Sequence, residues 1–267
     1  HMEIINFDLA KKEPKRKKNF LAPNQPCRIL MVGASNSGKT NILLNMIFNM
    51  LIFDKIYIYT KHVHQEKYQI LKKYFQSVEE SEGAKEFLDL PIAHFADNIK
   101  DMDPLEKLDP ELENVIIFDD FIVEKQQDKM IDAFIRGRHS NATVIYLTQA
   151  YFPTPKTIRL NCDTFLFFDM ASKTELGAIA RDHCADLPKE EFISMFHDAV
   201  NEPYSFLYID KTTKVKPLMY RKKFDSLYYP YGTLVLQEDE APEEEPHEEP
   251  TKKEPKTVKK QRKVKVA

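Results

Sequence analysis

Hydrophobic positions along the chain fall into short runs that end at polar residues, a pattern typical of strands buried in a sheet. The runs at 28–32 and 114–119 are apolar at nearly every interior position, and the latter ends in two aspartates. Five further runs predict strands at 55–60, 143–148, 164–168, 204–210 and 214–220. The last two flank the polar turn 211–213 and predict an antiparallel hairpin.

Between these runs, apolar residues recur with the spacing of a helix that buries one face. This spacing predicts helices at 40–51, 65–75, 128–136 and 189–200, with one more that begins at Ser172. Ser172 and Glu175 have the spacing of a capping box, and Gly137 is a natural helix stop. Residues 78–113 are predicted to be irregular, with short helical pieces. The alternation predicts an α/β fold, with a mostly parallel central sheet flanked by helices and an antiparallel C-terminal edge hairpin.

Composition and charge divide the chain into three parts. Of 267 residues, 42% are hydrophobic, which suits one globular domain at 21–237. Residues 1–20 are predicted to be a flexible basic arm, in which His1 and Met2 resemble a cloning remnant. Residues 238–267 place eight acidic residues before eight lysines and arginines and predict a disordered tail. Such extensions either solubilise the protein or contact nucleic acid or a partner.

Cysteine spacing and hydropathy limit the cellular compartments that suit this chain. The three cysteines lie far apart without a CxxC pair, which favours a reducing compartment over a disulfide framework or a zinc site. No apolar run reaches the length of a membrane span, and the charged N-terminus does not resemble a signal peptide. His62, His64 and His183 have no carboxylate or cysteine at metal-ligand spacing and are interpreted as ordinary surface or core residues.

The first candidate for chemistry is the sequence GASNSGKT after the first strand, which matches the P-loop pattern. Two of the six glycines of the chain, Gly33 and Gly38, let the backbone wrap closely around phosphate oxygens. Lys39 is predicted to reach the β- and γ-phosphates, and the Thr40 hydroxyl to bind Mg²⁺. The predicted nucleotide-binding residues are Gly33, Ala34, Ser35, Asn36, Ser37, Gly38, Lys39, Thr40 and Asn41.

Polar residues at the ends of two later strands complete the predicted site. Asp119 ends a buried strand at its carboxyl edge, where α/β sheets bind ligands, and is predicted to be the second Mg²⁺ residue. Asp120 could orient or deprotonate the attacking water, or alternatively cap a turn or helix. Gln149 could bind the γ-phosphate and the attacking water, or alternatively be a structural loop amide.

Missing motifs exclude the commoner P-loop classes. The chain has no Asn-Lys-x-Asp guanine motif, no Arg-rich kinase lid and no ABC signature loop. ATP and Mg²⁺ are therefore the predicted ligands. What remains is a RecA-like P-loop NTPase, in which an extra strand lies between the P-loop strand and the Asp119 strand. Such enzymes bind nucleotide between subunits, and a neighbour supplies an arginine.

The segments NVIIFDDF and IRGRHSNATVIYLTQAYFPTPKTIRLNCD resemble the genome-packaging ATPases of poxviruses and other large double-stranded DNA viruses, of the FtsK–HerA superfamily. The segment IYTKHVHQEKYQIL is also similar, and the resemblance covers roughly residues 27–225. It implies that Lys39 and Thr40 are the Walker A pair, that Asp119 and Asp120 are the Walker B acids, and that Gln149 is the sensor glutamine. Many members have Glu at the position of Asp120, and the shorter Asp leaves the base assignment open.

The resemblance also implies a trans-acting arginine finger before the Gln149 strand. Arg136 and Arg138 compete for this role, and Arg138 is favoured because it lies beyond the stop at Gly137 and is freer to project. Arg159 is a further candidate for phosphate or interface contact. For each arginine, a solvated or ion-paired surface position is the alternative.

Together these features predict an ATP-driven translocase that packages viral double-stranded DNA into a preformed capsid. The expected partners are DNA without sequence preference, a pentameric or hexameric ring of the same chain, and a capsid or portal-vertex protein. The expected location is the viral factory in the host cytoplasm, the virion, or both. A plasmid-transfer or chromosome-segregation pump and a non-motor nucleotide switch or adaptor are the alternatives. Candidate pore lysines are Lys125, Lys156, Lys211, Lys214 and Lys216.

Overall fold

A computed structural model describes residues 21–121, 127–214, 218–229 and 232–235 of the chain. The predicted basic arm at 1–20 and the predicted charged tail at 238–267 lie outside these residues. Within the described ranges, no helix has the length and apolarity needed to cross a bilayer.

A central sheet organises the described chain, and six of its strands are parallel. In chain order these are β1 (Arg28–Val32), β2 (Lys55–Thr60), β3 (Ala93–Ala96), β4 (Asn114–Asp119), β5 (Ala142–Thr148) and β6 (Thr164–Phe168). They lie in the spatial order β6-β1-β5-β4-β2-β3. Strand β5 therefore separates the P-loop strand β1 from β4, which confirms the predicted insertion. Nearly every residue of β1, β4, β5 and β6 is buried, because helices cover both faces of the sheet.

Helices pack on both faces of this sheet and form two separate hydrophobic clusters. In chain order they are α1 (Lys39–Asn49), α2 (Glu66–Glu80), α3 (Glu82–Phe87), α4 (Asp128–Arg136), α5 (Lys156–Asn161), α6 (Lys173–His183) and α7 (Lys189–Ala199). Helices α1 and α2 bury one apolar stripe each on one face. Helices α4 to α7 do the same on the other face. The predicted α/β class is confirmed.

Four antiparallel strands extend the sheet beyond β6. They are β7 (Phe206–Asp210), β8 (Tyr220–Lys222), β9 (Ser226–Tyr229) and β10 (Gly232–Val235). The predicted hairpin is therefore correct in direction but wrong in its second strand, because pairing with β7 begins only at Tyr220, opposite Ile209. Residues 211–214 are not strand, and 215–217 lie outside the described residues.

Local differences from the predicted elements have simple causes. Strand β3 and helix α5 were not predicted, because four and six residues are too few for either pattern to repeat clearly. Helix α4 ends at Arg136 as predicted, but Gly137 stays in the right-handed region and Asn141 takes the left-handed conformation instead. Only one of the two hydrogen bonds of the capping box forms. The Ser172 side chain accepts a hydrogen bond from the Glu175 amide, whereas the Glu175 carboxylate accepts one from the Tyr151 amide.

Candidate nucleotide-binding site

The loop between β1 and α1 has the geometry of an anion cradle. Asn36 and Gly38 both have left-handed backbones, with φ of 63° and 104°, and such conformations occur in backbone loops that bind anions. Gly38 is the N-cap of α1, no side chain caps the helix, and its first turn carries no acidic residue. The N-terminal amides of α1 have no acceptors within the helix, so they are available to a phosphate.

Gly33 serves the packing of this loop. A Cβ atom at this position would lie 2.5 Å from the Cβ of Phe168 on β6 and 2.8 Å from the Ser37 hydroxyl. Only a glycine lets the loop lie this close to β6. At Gly33 the structure thus shows a close approach to a strand of the same chain, while the predicted approach to phosphate oxygens stays a prediction.

Lys39 lies buried at the start of α1 and bends back over the loop. Its Nζ donates to the carbonyl oxygens of Gly33, at 2.6 Å, and Ala34, at 2.8 Å. Burial lowers the pKa of Lys39, and the carboxylates of Asp119 and Asp120 oppose this shift. The site thus holds one cation opposite two anions at the edge of the sheet.

Asp119 ends β4 with its side chain almost fully buried, at 7% exposed. The Tyr68 hydroxyl donates to its Oδ2 at 2.6 Å, and Thr60 reaches the same oxygen at 3.5 Å. Burial raises the pKa of Asp119, and the Tyr68 hydrogen bond and the charge of His62 oppose this shift. The short hydrogen bond from Tyr68 orients the carboxylate, and Lys39 lies close enough to influence its charge.

Asp120 takes a left-handed backbone with φ of 62°, which turns its side chain away from the strand direction. His62 Nε2 lies 2.8 Å from its Oδ2, and the Gln149 side-chain amide donates to its Oδ1 at 3.4 Å. The Ser35 hydroxyl in turn donates to Gln149 Oε1 at 3.2 Å. Asp120 and Gln149 therefore belong to one polar network that reaches the P-loop, and their catalytic roles stay predictions.

One cavity of about 260 Å³ contains these groups. Its lining includes six of the nine predicted nucleotide-binding residues, while Gly33, Ala34 and Asn41 lie outside it. The lining residues that were not predicted as site residues include His62 and Tyr204. His62 was interpreted as an ordinary histidine; it lies beyond the end of β2, next to β4 in the sheet, and the sequence pattern does not give this neighbourhood.

The two candidate fingers lie at the opposite edge of the sheet from the cavity. Both precede the amino end of β5, whose seven residues span on the order of 20 Å. Arg138 pairs with Asp163 at 2.6 Å and keeps 44% of its side chain exposed, and Asp163 also binds Arg28 at 3.1 Å. Arg136 pairs with Asp132 and, at 2.8 Å, with Glu106.

Arg159 is held inside its own chain. It pairs with Asp182 at 3.0 Å and lies 4.7 Å above the Tyr151 ring, with 13% of its side chain exposed. The Tyr151 hydroxyl also contacts Asp182 and His183, each at 2.9 Å. Burial lowers the pKa of His183 to about 3, so this histidine is a neutral core residue.

The candidate pore lysines are scattered. Lys125 and Lys216 lie outside the described residues, and Lys214 is exposed. Lys156 begins α5. Lys211 is also exposed and lies over the Phe165 ring at 4.9 Å, where partial burial lowers its pKa.

Comparison with known proteins gives a family and several distant structures. The family described as poxvirus A32 protein matches residues 14–215, more than half of the chain. No curated protein matches the sequence.

The similar solved structures include the genome packaging NTPase B204 from Sulfolobus turreted icosahedral virus 2 in complex with ATP-gammaS. It is 17% identical, covers 71% of this chain and 95% of that chain, and has a TM-score of 0.49. The DNA-packaging ATPase B204 from Sulfolobus turreted icosahedral virus is 16% identical over 71% and 95% of the two chains, with a TM-score of 0.44. Because both TM-scores are below 0.5, the family match alone assigns the chain. The chain therefore belongs to the poxvirus A32 protein family, which confirms the resemblance to poxvirus genome-packaging ATPases carried by its motifs.

Proposed function

We propose that this chain, an ATPase of the poxvirus A32 family, hydrolyses ATP between the subunits of a ring and uses the energy to move double-stranded DNA into a preformed capsid. One observation carries the proposal. The P-loop, the Asp119–Asp120 pair and Gln149 follow β1, β4 and β5, three adjacent parallel strands, and meet at one edge of the sheet.

The nucleotide roles follow from this placement. The uncapped first turn of α1 and the Lys39 ammonium bind the β- and γ-phosphates of ATP, which replace the loop carbonyls as partners of Lys39. The Thr40 hydroxyl and the Asp119 carboxylate are oxygen donors of the type that Mg²⁺ prefers, so the residues present fit this ion. When bound, Mg²⁺ neutralises charge on the phosphates.

Asp120 is the residue that orients and deprotonates the attacking water. Its carboxylate is held from both sides, by His62 on Oδ2 and by Gln149 on Oδ1, so its direction is set before the substrate arrives. Gln149 links this carboxylate to Ser35 of the P-loop and is placed to sense the γ-phosphate.

Arg138 is the proposed finger for the ATP of a neighbouring subunit. Since it lies at the sheet edge away from its own P-loop, it is suited only to a site on another chain. Asp163 holds Arg138 in the single subunit and keeps Arg28 as a second partner, so release of Arg138 leaves no unpaired carboxylate. Arg136 and Arg159 remain candidates for the finger or for phosphate contact, and each would first have to leave its intrachain carboxylate partners.

The proposed partners are DNA gripped through its phosphates, a pentameric or hexameric ring, and a capsid or portal-vertex protein. Contacts to DNA phosphates need no contact to the bases. DNA binding is therefore expected to depend weakly on sequence and strongly on salt concentration. The proposed location is the viral factory of the host cytoplasm, the virion, or both.

The test is ATP turnover with and without duplex DNA. Lys39→Ala and Asp120→Asn are each expected to lower kcat at least about a hundredfold, because each removes a charged group that acts on the transferred phosphate or the water. Lys72→Ala, at an exposed position of α2, is the matched control and should hydrolyse ATP like the parent.

Normal turnover in either site variant would overturn the catalytic assignment. Slow turnover without DNA stimulation would favour the nucleotide switch or adaptor. Stimulation by DNA without capsid association would favour a plasmid-transfer or chromosome-segregation pump.

A further inference from the structure

We propose that the Tyr204 side chain is the platform on which the base of the bound nucleotide stacks. The inference rests on the proposed function, since it requires ATP in the P-loop. No motif of the P-loop class contains this residue, and its position in the sequence, next to β7, gave no sign of a ligand contact.

The position of Tyr204 is the first argument. It lies just before β7, which pairs antiparallel with β6 through Phe206 and Phe168. This pairing brings Tyr204 to the carboxyl edge of the parallel strands, beside the P-loop. A Cβ atom built on Gly38 would lie 2.7 Å from Tyr204 Cδ1 and 3.4 Å from its Cα. The ring therefore lies against the loop that is proposed to bind the phosphates.

The exposure of the ring is the second argument. Tyr204 is 56% exposed and lines the same cavity as Lys39 and Asp120, while its neighbour Phe206 is fully buried. A tyrosine that served only to cover Gly38 would be expected to hide most of its surface. Instead, more than half of Tyr204 stays exposed, and the residue lines the cavity.

The backbone of Tyr204 is the third argument. Its φ of 61° lies in the left-handed region, which bulky residues avoid. The turn is held by the Ser205 hydroxyl, which donates to the Glu202 carbonyl at 2.6 Å and accepts from the Glu202 amide at 3.2 Å. The Glu202 carboxylate is fastened to Lys222 at 3.1 Å and to Lys223 at 2.7 Å. A strained backbone that its surroundings hold in place is a mark of functional positions.

The chemistry of a tyrosine face fits a nucleobase. Base stacking on an aromatic ring is sequence-tolerant, because every base offers a π face. The platform should therefore add affinity for ATP and GTP alike, and the tyrosine hydroxyl should be dispensable. The phosphates, bound by the loop and Lys39, should not depend on it.

The experiment compares two ligands, ATP and inorganic tripolyphosphate, in equilibrium binding to the full chain. Tyr204→Leu keeps apolar bulk against Gly38 but has no π face, and Tyr204→Asn tolerates the left-handed backbone without a ring. Both are expected to lose about tenfold in ATP affinity and to bind tripolyphosphate like the parent. Tyr204→Phe is the matched control and should bind both ligands like the parent.

Two results would overturn the platform. Unchanged ATP affinity in Tyr204→Leu and Tyr204→Asn would show that the ring does not contact the base. An equal loss for ATP and tripolyphosphate would show that Tyr204 only supports the loop.

The proposed function fails in a different way. If the parent does not bind ATP, or if Lys39→Ala hydrolyses it normally, both proposals fall. If Lys39→Ala is inactive and Tyr204→Leu still binds ATP like the parent, only the platform falls.

Discussion

At the scale of single residues, the contact between His62 and Asp120 orients the carboxylate that is proposed to be the base. Asp120 has a left-handed backbone, and its direction depends on two side-chain contacts, of which the His62 contact is the shorter. The weaker Gln149 contact at 3.4 Å would not by itself hold the carboxylate. His62 is thus a positioning residue for the proposed base.

We expect His62→Leu to lower kcat roughly tenfold and to leave KM for ATP nearly unchanged, because misplacing the base affects the chemical step. His62→Gln, which can still present an amide to Asp120, should recover part of the loss. Steady-state ATPase kinetics measure both constants. His64→Leu, at an exposed position two residues away, is the control. A rise in KM without a fall in kcat would place His62 in nucleotide binding instead.

At the scale of elements, the loop after β5 is anchored by helix α6. The Glu175 carboxylate accepts the amides of Tyr151, at 2.6 Å, and Phe152, at 3.0 Å. Thr154 closes the same loop through its hydroxyl, which donates to the Ala150 carbonyl at 2.8 Å. The loop begins at Gln149, so the helix end fixes where the proposed sensor residue leaves the strand.

Two variants at the start of α6 distinguish an effect on folding stability from an effect on the anchoring of the loop after β5. Ser172→Ala removes the N-cap and should cost about 1 kcal/mol of unfolding free energy with little change in ATP turnover. Glu175→Ala should cost a similar amount and also lower kcat several-fold, because two loop amides lose their acceptor. Urea unfolding and ATPase assays on both variants test this expectation. Equal turnover in the two variants would mean that the anchor does not influence Gln149.

At the scale of the whole molecule, the two halves of the proposed catalytic site lie at opposite edges of the sheet. The P-loop follows the carboxyl end of β1, and Arg138 precedes the amino end of β5, which runs parallel to β1. A single chain cannot bring these edges together while the sheet stays intact. Head-to-tail contacts between copies, which close into a ring, would bring them together.

Mixing two inactive variants tests this arrangement. Arg138→Ala supplies an intact P-loop, and Lys39→Ala supplies an intact Arg138, so each alone should be inactive. A mixture in equal amounts should regain activity at about a quarter of the interfaces if subunits assemble at random. Arg136→Ala should keep activity on its own. Parent-like hydrolysis by Arg138→Ala would remove Arg138 from the finger role, and a mixture that stays inactive would count against a shared site.

The sequence alone determined the features that depend on local pattern. Strands β1, β2, β4 and β6 have the predicted bounds, because continuous burial on both faces of a parallel sheet requires unbroken apolar runs. The sequence also predicted the P-loop and the polar residues that follow β4 and β5. Because parallel strands bring their carboxyl ends to one edge of the sheet, these residues were expected to form one site. The exclusion of the commoner P-loop classes predicted the inserted strand, which the sheet order confirms.

Only the tertiary structure decided which distant residues meet. His62 and Asp120 are 58 positions apart, and they touch because β2 lies beside β4 in the sheet. Tyr204 was predicted to be part of a strand, but it reaches the P-loop because the strand that follows it turns back along β6. The partner of Arg138 likewise depends on strand order. These contacts follow from register and topology, which are properties of the whole sheet, whereas periodicity reports only on each segment by itself.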